Sequence, residues 1–282
     1  MEFTTLANGV RTPMLGLGVY QVSEAECEVI VEKAFAAGYR LIDTAQAYRN
    51  ERGVGAAFRK SGLKREDVFL TTKIWVSNFG DEKTYDSYRA SLEASGLDYW
   101  DLVLLHQSWS DYYGAWRALE RLYDEGLIRA IGVSNFYPER LADLCVNARI
   151  RPMVNQIECH PFFQRGRDLE CAEHFGVRLE AWGPFAEGGR GIFTNPVITK
   201  IAEHYGKTPA QVALRFSLEE DVIVLPKSTH TERMQENLAL FDFALTKEDL
   251  AALRGLDTGR GAHDPDAPGV AEFLLNAFRI ED

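Results

Sequence analysis

Short apolar runs alternate with helical patterns along most of the chain. Residues 102–105, Leu-Val-Leu-Leu, form one such run, and its length and composition are typical of a buried strand. Between the runs, apolar residues recur at helical spacing, as at Cys27, Ile30 and Ala34, and Gly38 then follows as a stop signal. The pattern therefore predicts an α/β protein.

Eight strands are predicted, with helices between them. The predicted strands cover residues 14–16, 41–42, 68–72, 102–105, 128–133, 153–157, 178–182 and 222–225. The predicted helices cover residues 23–37, 50–60, 84–94, 112–125, 138–146, 169–175 and 208–216. Strict alternation favours parallel pairing through right-handed crossovers, and eight such units close into a (β/α)8 TIM barrel. The long interval between the last two strands leaves room for an extra helix.

The N-terminal segment and the absence of linkers complete the predicted organisation. Asn8-Gly9 lies between two short segments, and Asn-Gly favours the positive φ angles of a two-residue turn, so an N-terminal β-hairpin is predicted. No Pro/Ser-rich linker, short repeat or low-complexity run divides the remaining sequence. We therefore expect residues 1–282 to form a single domain.

Composition narrows the range of partners. The 282 residues carry a formal net charge of −11, so neither nucleic acid nor an anionic membrane is an expected partner. No signal peptide is evident, and no apolar run approaches the length of a membrane span. The 4 cysteines show no CxxC spacing and are expected to be reduced. We expect a soluble, cytoplasmic monomer that acts on a small molecule.

Ionisable residues stand where three of the predicted strands end. Asp43, Lys73 and His106 each follow an apolar run directly, and Tyr48 lies five residues beyond Asp43. Active sites of such barrels lie at the carboxyl ends of the strands, so we expect these four groups to meet there. A phenol beside an ammonium is a candidate general acid, because a cation lowers the pKa of the phenol. Asp43 would hold Lys73, and His106 would orient a carbonyl oxygen.

Each of the four residues also has a structural interpretation. A strand-end Asp is often a turn cap, a Lys is usually a solvated charge, and a lone His or a loop Tyr usually packs against its neighbours. Only their joint placement at the ends of predicted strands favours chemistry.

The glycine-rich segments do not indicate a Rossmann nucleotide site. Residues 16–18 and 53–55 both read Gly-x-Gly, but neither is followed by the third glycine of the dinucleotide-binding motif. Any nucleotide must therefore bind in an extended way across the end of the barrel.

Three ordered segments resemble the signatures of the aldo-keto reductase family, and the resemblance covers nearly the whole chain. The first is Leu-Ile-Asp-Thr-Ala at residues 41–45 with Tyr48 and residues 50–51; the second is Gly-Val-Ser-Asn-Phe at residues 132–136. The third is Leu-Pro-Lys-Ser at residues 225–228, with Arg233 and Asn237. The family's fold is also a (β/α)8 barrel.

The resemblance implies NADPH-dependent reduction of aldehydes or ketones by hydride transfer to the carbonyl carbon. Tyr48 would be the proton donor, Lys73 and Asp43 would tune it, and His106 would orient the substrate. Further residues would bind the cofactor. For the nicotinamide they are Ser134, Asn135, Gln156 and Trp182, and the following Gly183, Pro184 and Phe185 also belong to the cofactor-binding residues. For the adenosine 2′-phosphate and adenine they are Lys227, Ser228, Thr229, Arg233, Glu236 and Asn237, of which Glu236 and Asn237 could equally be solvated helix positions.

The chain departs from the family's commonest pattern after His106. Gln107 and Ser108 stand where many members have Trp-Pro, which removes an aromatic wall from the pocket. The expected substrate pocket is open and is lined by Tyr20, Trp75, Gln107 and Trp109. The pattern is closest to prokaryotic reductases of the 2,5-diketo-D-gluconate-reductase type, which implies small polar or aliphatic carbonyl substrates.

Two other functions compete with carbonyl reduction. A nucleotide-binding regulatory protein could use the same barrel with little turnover, although binding alone does not require Tyr48 and His106 together. A metal-dependent hydrolase or isomerase would need ligand spacing that the 6 histidines do not show, so no metal is expected. These histidines are His106, His160, His174, His204, His230 and His263.

Overall fold

The structure, a computed structural model, describes residues 1–262 and 267–277. The strands are β1 Phe3–Thr5, β2 Arg11–Pro13, β3 Leu17–Gly18, β4 Leu41–Asp43, β5 Phe69–Ile74, β6 Trp100–Leu105, β7 Ile128–Ser134, β8 Val154–Glu158, β9 Arg178–Trp182 and β10 Ile223–Val224. The α-helices are α1 Glu24–Ala37, α2 Glu51–Ser61, α3 Asp81–Ser95, α4 Tyr112–Asp124, α5 Pro138–Asn147, α6 Gly166–Phe175, α7 Pro196–Tyr205, α8 Pro209–Glu219, α9 Thr231–Leu238, α10 Lys247–Arg254 and α11 Pro268–Ala277. Short 3-10 helices cover Gln46–Tyr48, Arg65–Asp67, Val76–Asn78 and Ala186–Gly188.

Strands β3 to β10 form one parallel sheet in chain order, and the sheet closes on itself. Leu15 forms a parallel bridge with Val224, and Gly18 forms another with Lys227. The amide of Gly16 donates to the carbonyl of Val224 at 2.9 Å. The predicted (β/α)8 barrel is therefore confirmed. The predicted hairpin is confirmed as well, with β1 and β2 antiparallel and Phe3 opposite Pro13.

The first barrel strand lies slightly later than predicted. Residues 14–16 were expected to form it, whereas the strand itself is Leu17–Gly18 and Leu15 contributes only a bridge. Gly16 lies where the barrel closes, and a Cβ there would come within 2.4 Å of Leu41 Cγ and 2.7 Å of Leu225 Cδ2. A glycine is therefore needed for the first and last strands to approach each other.

Most helices follow the predicted pattern, and several were not predicted. Two helices, α7 and α8, lie between β9 and β10, in the interval that left room for an extra one. Helix α8 begins with a capping box in which the Thr208 hydroxyl accepts from the Gln211 amide and the Gln211 side chain accepts from the Thr208 amide. Helices α9, α10 and α11 were missed because their segments are short and mostly polar or lie outside the strand alternation.

Most residues of the barrel strands are buried. Every residue of β5 and of β6 is buried, including Lys73 and Asp101, which explains why both strands read as continuous apolar runs with single charged residues inside them. All 4 cysteines are free, in agreement with the expectation of reduced thiols. No helix in the described part of the chain is long and apolar enough to cross a bilayer. The single-domain and monomer expectations stay predictions.

Candidate active site

Three of the four predicted catalytic side chains form one hydrogen-bonded group at the carboxyl ends of the strands. Lys73, near the end of β5, donates from Nζ to Asp43 Oδ1 at 2.5 Å and to the carbonyl of Thr44 at 2.9 Å. It also donates to the hydroxyl of Tyr48 at 3.3 Å. Strand β4 delivers Asp43, and the 3-10 helix that follows it turns the chain so that Tyr48 reaches the same point. An ammonium carries three hydrogens, so these contacts use all of them.

Burial and neighbouring charges set the protonation states of this group. Burial alone would lower the pKa of Lys73, but the charge of Asp43 and the contact with Tyr48 outweigh it, so the pKa is raised and the lysine stays an ammonium. Burial raises the pKa of Tyr48 to about 12, although Lys73 acts in the opposite direction. The expectation that Lys73 lowers the pKa of Tyr48 is thus right for the effect of the lysine and wrong for the net value. The phenol keeps its proton at neutral pH.

His106 lies beside the phenol and is neutral. It follows β6, and its ring centroid is 5.6 Å from that of Tyr48 and 5.0 Å from that of Trp75, edge-on in both cases. Burial and the charge of Lys73 hold the pKa of His106 well below its usual value. Its Nδ1 is buried without a hydrogen-bond partner in the described structure. A neutral imidazole here can donate one hydrogen bond to a ligand oxygen.

Two of the residues expected to line the substrate pocket, Tyr20 and Trp75, contact the catalytic group. The Tyr20 ring is tilted against that of Tyr48, with centroids 5.0 Å apart. Trp75 is 2% exposed and packs its ring on His106, so it forms a wall rather than an open surface. Gln107 is also buried, whereas Trp109 is half-buried against the core.

Sequence reasoning missed Gln46, which fixes this wall. Its Oε1 accepts from the Trp75 amide at 3.0 Å and from Asn78 Nδ2 at 2.9 Å. Its Nε2 donates to the Ser91 hydroxyl at 3.0 Å. Gln46 lies in the same 3-10 helix as Tyr48, so these hydrogen bonds connect that helix to the segment of Trp75. Gln46 lies between two apolar alanines in the sequence, and that was the available signal.

Ser134, Asn135 and Trp182 form a second group at the same end. The Ser134 hydroxyl donates to the Gln156 carbonyl at 2.9 Å, and Asn135 Nδ2 donates to the His106 carbonyl at 3.1 Å. Asn135 Oδ1 accepts from the Trp182 indole at 3.0 Å, and this contact holds the half-buried ring in place. Asn135 has a φ of +59°, a left-handed conformation that asparagine adopts more readily than most residues.

Gln156 and Glu180 face one another inside the barrel, and Glu180 was not among the predicted site residues. Gln156 Nε2 donates to Glu180 Oε1 at 2.6 Å and to Asp43 Oδ2 at 2.9 Å. The family resemblance assigns Gln156 to the nicotinamide carboxamide, but its side-chain nitrogen already donates to these two carboxyl groups. A charged residue in the middle of the buried segment 178–182 was the signal that could have found Glu180.

The segment after β9 begins with a glycine that the backbone requires. Gly183 has a φ of +59°, and a Cβ there would lie 3.2 Å from Glu187 Oε1. A residue with a side chain would be strained in this conformation, which accounts for glycine at this position. Pro184 is buried, and the half-buried Phe185 packs against Phe193 with ring centroids 5.4 Å apart.

The predicted phosphate-binding residues divide into exposed and internally bonded ones. Lys227, Thr229 and Arg233 are exposed after β10 and on α9, and neither cation has an ion pair within residues 1–262 and 267–277. Ser228 is buried, and its hydroxyl accepts from the His230 amide at 3.1 Å.

Glu236 and Asn237, assigned to the adenine, both make contacts within the protein. The Glu236 carboxylate accepts from the Thr208 hydroxyl at 2.5 Å, and Asn237 is buried beside the phenol of Tyr39. The solvated interpretation is therefore wrong for Asn237, whereas Glu236 is partly exposed, and the adenine contact of both residues stays a prediction.

The histidine and carboxylate groups of the described residues offer no metal centre, since no three such side chains cluster there. His160 is buried and its Nε2 lies 3.1 Å from Glu158 Oε1, which makes it a structural residue. His263 lies outside the described residues.

Comparison with known proteins agrees with the fold and identifies the family. The family model described as the aldo/keto reductase family matches residues 12–258. The chain is 45% identical over 268 residues to the 9,11-endoperoxide prostaglandin H2 reductase of Trypanosoma cruzi, covering 93% of this chain and 94% of that protein. It is 44% identical over 272 residues to the methylglyoxal reductase DkgA of Yersinia pestis, covering 94% and 96%. A solved structure of an aldo-keto reductase enzyme from a Medee basin deep-sea metagenome library superposes with a TM-score of 0.90 at 38% identity, covering 93% and 97%. The chain belongs to the aldo/keto reductase family.

Proposed function

We propose that this protein is an NADPH-dependent reductase of small aldehydes and ketones in which Tyr48 is the proton donor. The observation that carries the proposal is the Tyr48 hydroxyl held 3.3 Å from a buried ammonium, Lys73 Nζ, beside a neutral His106. A phenol so placed can give its proton to an oxygen that becomes negative as the carbonyl carbon is reduced.

Lys73 makes the transfer feasible although the pKa of Tyr48 is high. Because the phenol holds its proton at neutral pH, the acid form is always available. When the proton leaves, the phenolate lies next to the ammonium, and their attraction is strong in this buried site. Asp43 keeps the ammonium charged and fixes its position through the contact of 2.5 Å.

His106 and the aromatic wall orient the carbonyl. The neutral imidazole can donate a hydrogen bond to the substrate oxygen. Because it is not an imidazolium, it does not replace Tyr48 as the group that gives up a proton. The ring is held edge-on by Trp75, which Gln46 anchors through its backbone amide. A carbonyl oxygen bound between the imidazole and the phenol would be polarised by both.

The residues at this end of the barrel fit a nicotinamide cofactor, which supplies the hydride when bound. Trp182 offers a half-buried aromatic face that Asn135 holds in place through a contact of 3.0 Å. The nitrogen of Gln156 is committed to Asp43 and Glu180, so only its carbonyl oxygen remains for a ligand amide. The Ser134 hydroxyl donates to the Gln156 carbonyl, so its oxygen can still accept a hydrogen bond from a ligand amide at this end of the barrel.

The choice of NADPH over NADH rests on two exposed cations. Lys227 follows β10 and Arg233 lies on the first turn of α9, and neither has an ion pair among the described residues. A phosphate needs such charged donors, and a helix N-terminus adds further N–H groups. Both features suit the 2′-phosphate of NADPH.

The proposed substrates are small carbonyl compounds. The relative from Yersinia pestis is named a methylglyoxal reductase, and the chain matches 96% of its length. The buried Gln107 after His106 adds a polar side chain where an aromatic wall would favour larger aromatic substrates. Small polar or aliphatic carbonyls therefore fit this pocket best.

The test compares wild type with Tyr48→Phe in an assay of NADPH absorbance on a panel of small aldehydes, ketones and keto-sugars. The variant keeps the ring but lacks the acidic proton, so kcat should fall about 10²- to 10⁴-fold. NADPH affinity, followed by quenching of tryptophan fluorescence, should stay within about twofold.

Retention of turnover by Tyr48→Phe would remove its assigned role. Tight NADPH binding by wild type without turnover on any carbonyl would instead support a nucleotide-binding regulatory protein.

A further inference from the structure

Glu180 is a second carboxyl group inside the barrel, linked to the catalytic group by one side chain. It lies on β9 in register with Gln156 on β8, and it is 1% exposed. Gln156 Nε2 lies 2.6 Å from Glu180 Oε1 and 2.9 Å from Asp43 Oδ2. An amide nitrogen carries two hydrogens, so one is given to each carboxyl group. Glu180, Gln156, Asp43, Lys73 and Tyr48 thus form one connected series.

Among the described residues, no cation contacts the Glu180 carboxyl group directly. Lys73 gives its three hydrogens to Asp43, Thr44 and Tyr48, so it makes no direct contact with the second carboxyl group. An unpaired charge in such a place is costly, and the cost falls when the group stays protonated.

The charges that act on Glu180 come from two other strands. Asp43 on β4 opposes its ionisation and Lys73 on β5 favours it, whereas its register neighbours Gln156 and Ile223 are uncharged. Burial first, and then Asp43, raise the pKa of Glu180 to about 8. Glu180 is therefore a neutral acid near pH 7.

We propose that Glu180 is a positioning residue for the reduction: its carboxyl group fixes Gln156, which in turn holds Asp43 against Lys73. The inference rests on the proposed carbonyl reduction with Tyr48 as acid. In this role Glu180 touches neither substrate nor cofactor. It sets the number of negative charges that the Lys73 ammonium has to balance.

The proposal makes the reaction sensitive to alkaline pH. When Glu180 loses its proton, a second negative charge joins Asp43 in the interior. That charge stabilises the protonated phenol of Tyr48 and raises its pKa further, so the phenol becomes a weaker acid. Reduction should therefore slow as pH rises through the ionisation of Glu180.

The experiment compares wild type, Glu180→Gln and Glu180→Met by the pH profile of kcat/KM at saturating NADPH. Glutamine keeps the length and the acceptor for Gln156 but cannot ionise. Wild type should lose about tenfold in kcat/KM between pH 7 and 9.5, and Glu180→Gln should lose less than about twofold.

Methionine fills the same space and is also uncharged, but it cannot accept a hydrogen bond from Gln156. Comparison of the two variants therefore separates the effect of the missing charge from the effect of the missing hydrogen bond. At pH 7 Glu180→Met should be about tenfold slower than wild type, because Gln156 and Asp43 lose their fixed orientation. Since methionine cannot ionise, kcat/KM of this variant should change little between pH 7 and 9.5. Should the methionine variant fail to fold, the glutamine profile still decides the matter.

A readout without turnover tests the protonation state directly. A carboxyl group whose pKa is raised in the folded state makes folding less favourable as pH rises from its unfolded value towards the folded one. The urea midpoint of wild type should therefore fall relative to that of Glu180→Gln between pH 5 and pH 8.

Both readouts can overturn the inference. Parallel pH profiles in wild type and Glu180→Gln, with an active enzyme, would do so while leaving the proposed function intact. A constant difference in urea midpoint would show that Glu180 is ionised in the fold and would also overturn it. No turnover by wild type on any carbonyl is the failure of the proposed function itself, and the positioning role would fall with it.

Discussion

The two ends of the barrel each bury a charged cluster, and the clusters are built differently. At the amino ends of the strands, Asp101 is fully buried. It accepts from Arg129 at 2.5 Å, from Arg65 at 2.6 Å and from the Leu70 amide at 2.8 Å. Arg65 also lies 3.9 Å above the ring of Tyr99. Here the anion is surrounded by donors, and both oxygens of Asp101 are occupied.

The cluster at the carboxyl ends of the strands contains groups that lack a hydrogen-bond partner or a counter-ion among the described residues. Lys73 is satisfied by Asp43, Thr44 and Tyr48, but His106 Nδ1 has no partner among the described residues and Glu180 has no cation. Proton transfer needs such groups, because a donor that is already fully bonded has nothing to give to a ligand. The comparison supports the proposal that the cluster of Asp101 stabilises the fold and that the cluster of Lys73 performs the chemistry.

The largest effect should come from Lys73→Met. Removal of the ammonium leaves the phenolate of Tyr48 without its counter-charge, so kcat/KM should fall about 10³-fold, within the range of general-acid contributions. The assay follows NADPH oxidation on protein whose folding is verified by circular dichroism. Lys60→Met is the matched control, because Lys60 is an exposed lysine paired with Glu28 far from the site. Activity within tenfold of wild type would place the chemistry elsewhere.

Asp101→Asn should lower the stability of the fold and leave the activity of the folded protein nearly unchanged, the opposite of Lys73→Met. The two arginines lose their shared anion, and breaking a buried pair costs about 3 kcal/mol of unfolding free energy, at the lower end because both arginines are partly exposed. Urea unfolding measures the loss, while kcat/KM per folded molecule should stay near that of wild type. A large fall in kcat/KM with unchanged stability would contradict the division between the two ends.

Reversing the charge of Lys227 and Arg233 should have a smaller effect, which should be confined to the binding of NADPH. Lys227→Glu with Arg233→Glu should raise the Kd of NADPH about 10²-fold and that of NADH only slightly, since only NADPH carries the 2′-phosphate. Fluorescence titration with both cofactors measures the two constants. Arg11→Glu is the control for charge, because this exposed arginine lies at the opposite end of the barrel. Equal losses for both cofactors would remove the phosphate assignment.

The smallest effect is expected from Gln107→Trp. A tryptophan after His106 would add an aromatic wall, so KM for an aromatic aldehyde should fall about three- to tenfold through ring packing. KM for a small aliphatic aldehyde serves as the internal reference and should not fall. A uniform change across both substrates would count against a pocket position for Gln107.

Much of the fold could be predicted, because a buried parallel strand has a simple signature. Segments such as residues 102–105 are short, apolar and bounded by helical patterns, and eight of them leave few arrangements. The exact start of the first strand could not be predicted. Its position depends on Gly16 lying against Leu41 and Leu225, which are distant in sequence.

The candidate site was predictable only where the chemistry lies at strand ends. Asp43, Lys73 and His106 follow apolar runs, and the carboxyl ends of parallel strands meet at one end of a barrel, so their proximity follows from the pattern. Glu180 lies inside a strand, and nothing local indicates which side chain it meets. Glu236 and Asn237 lie on a polar helix, and their inward contacts depend on the packing of α8 and α1.

The sequence by itself determined the barrel and the four groups gathered at its carboxyl end, because alternation and strand-end positions are local properties of the chain. The tertiary structure alone decided the protonation states of the buried groups, including that of Glu180, which the sequence did not predict. The pKa of Tyr48 rises to about 12 and that of Glu180 to about 8 because burial removes water and places both near Asp43. Desolvation and charge pairing act through space between strands far apart in the chain, so no local pattern records them.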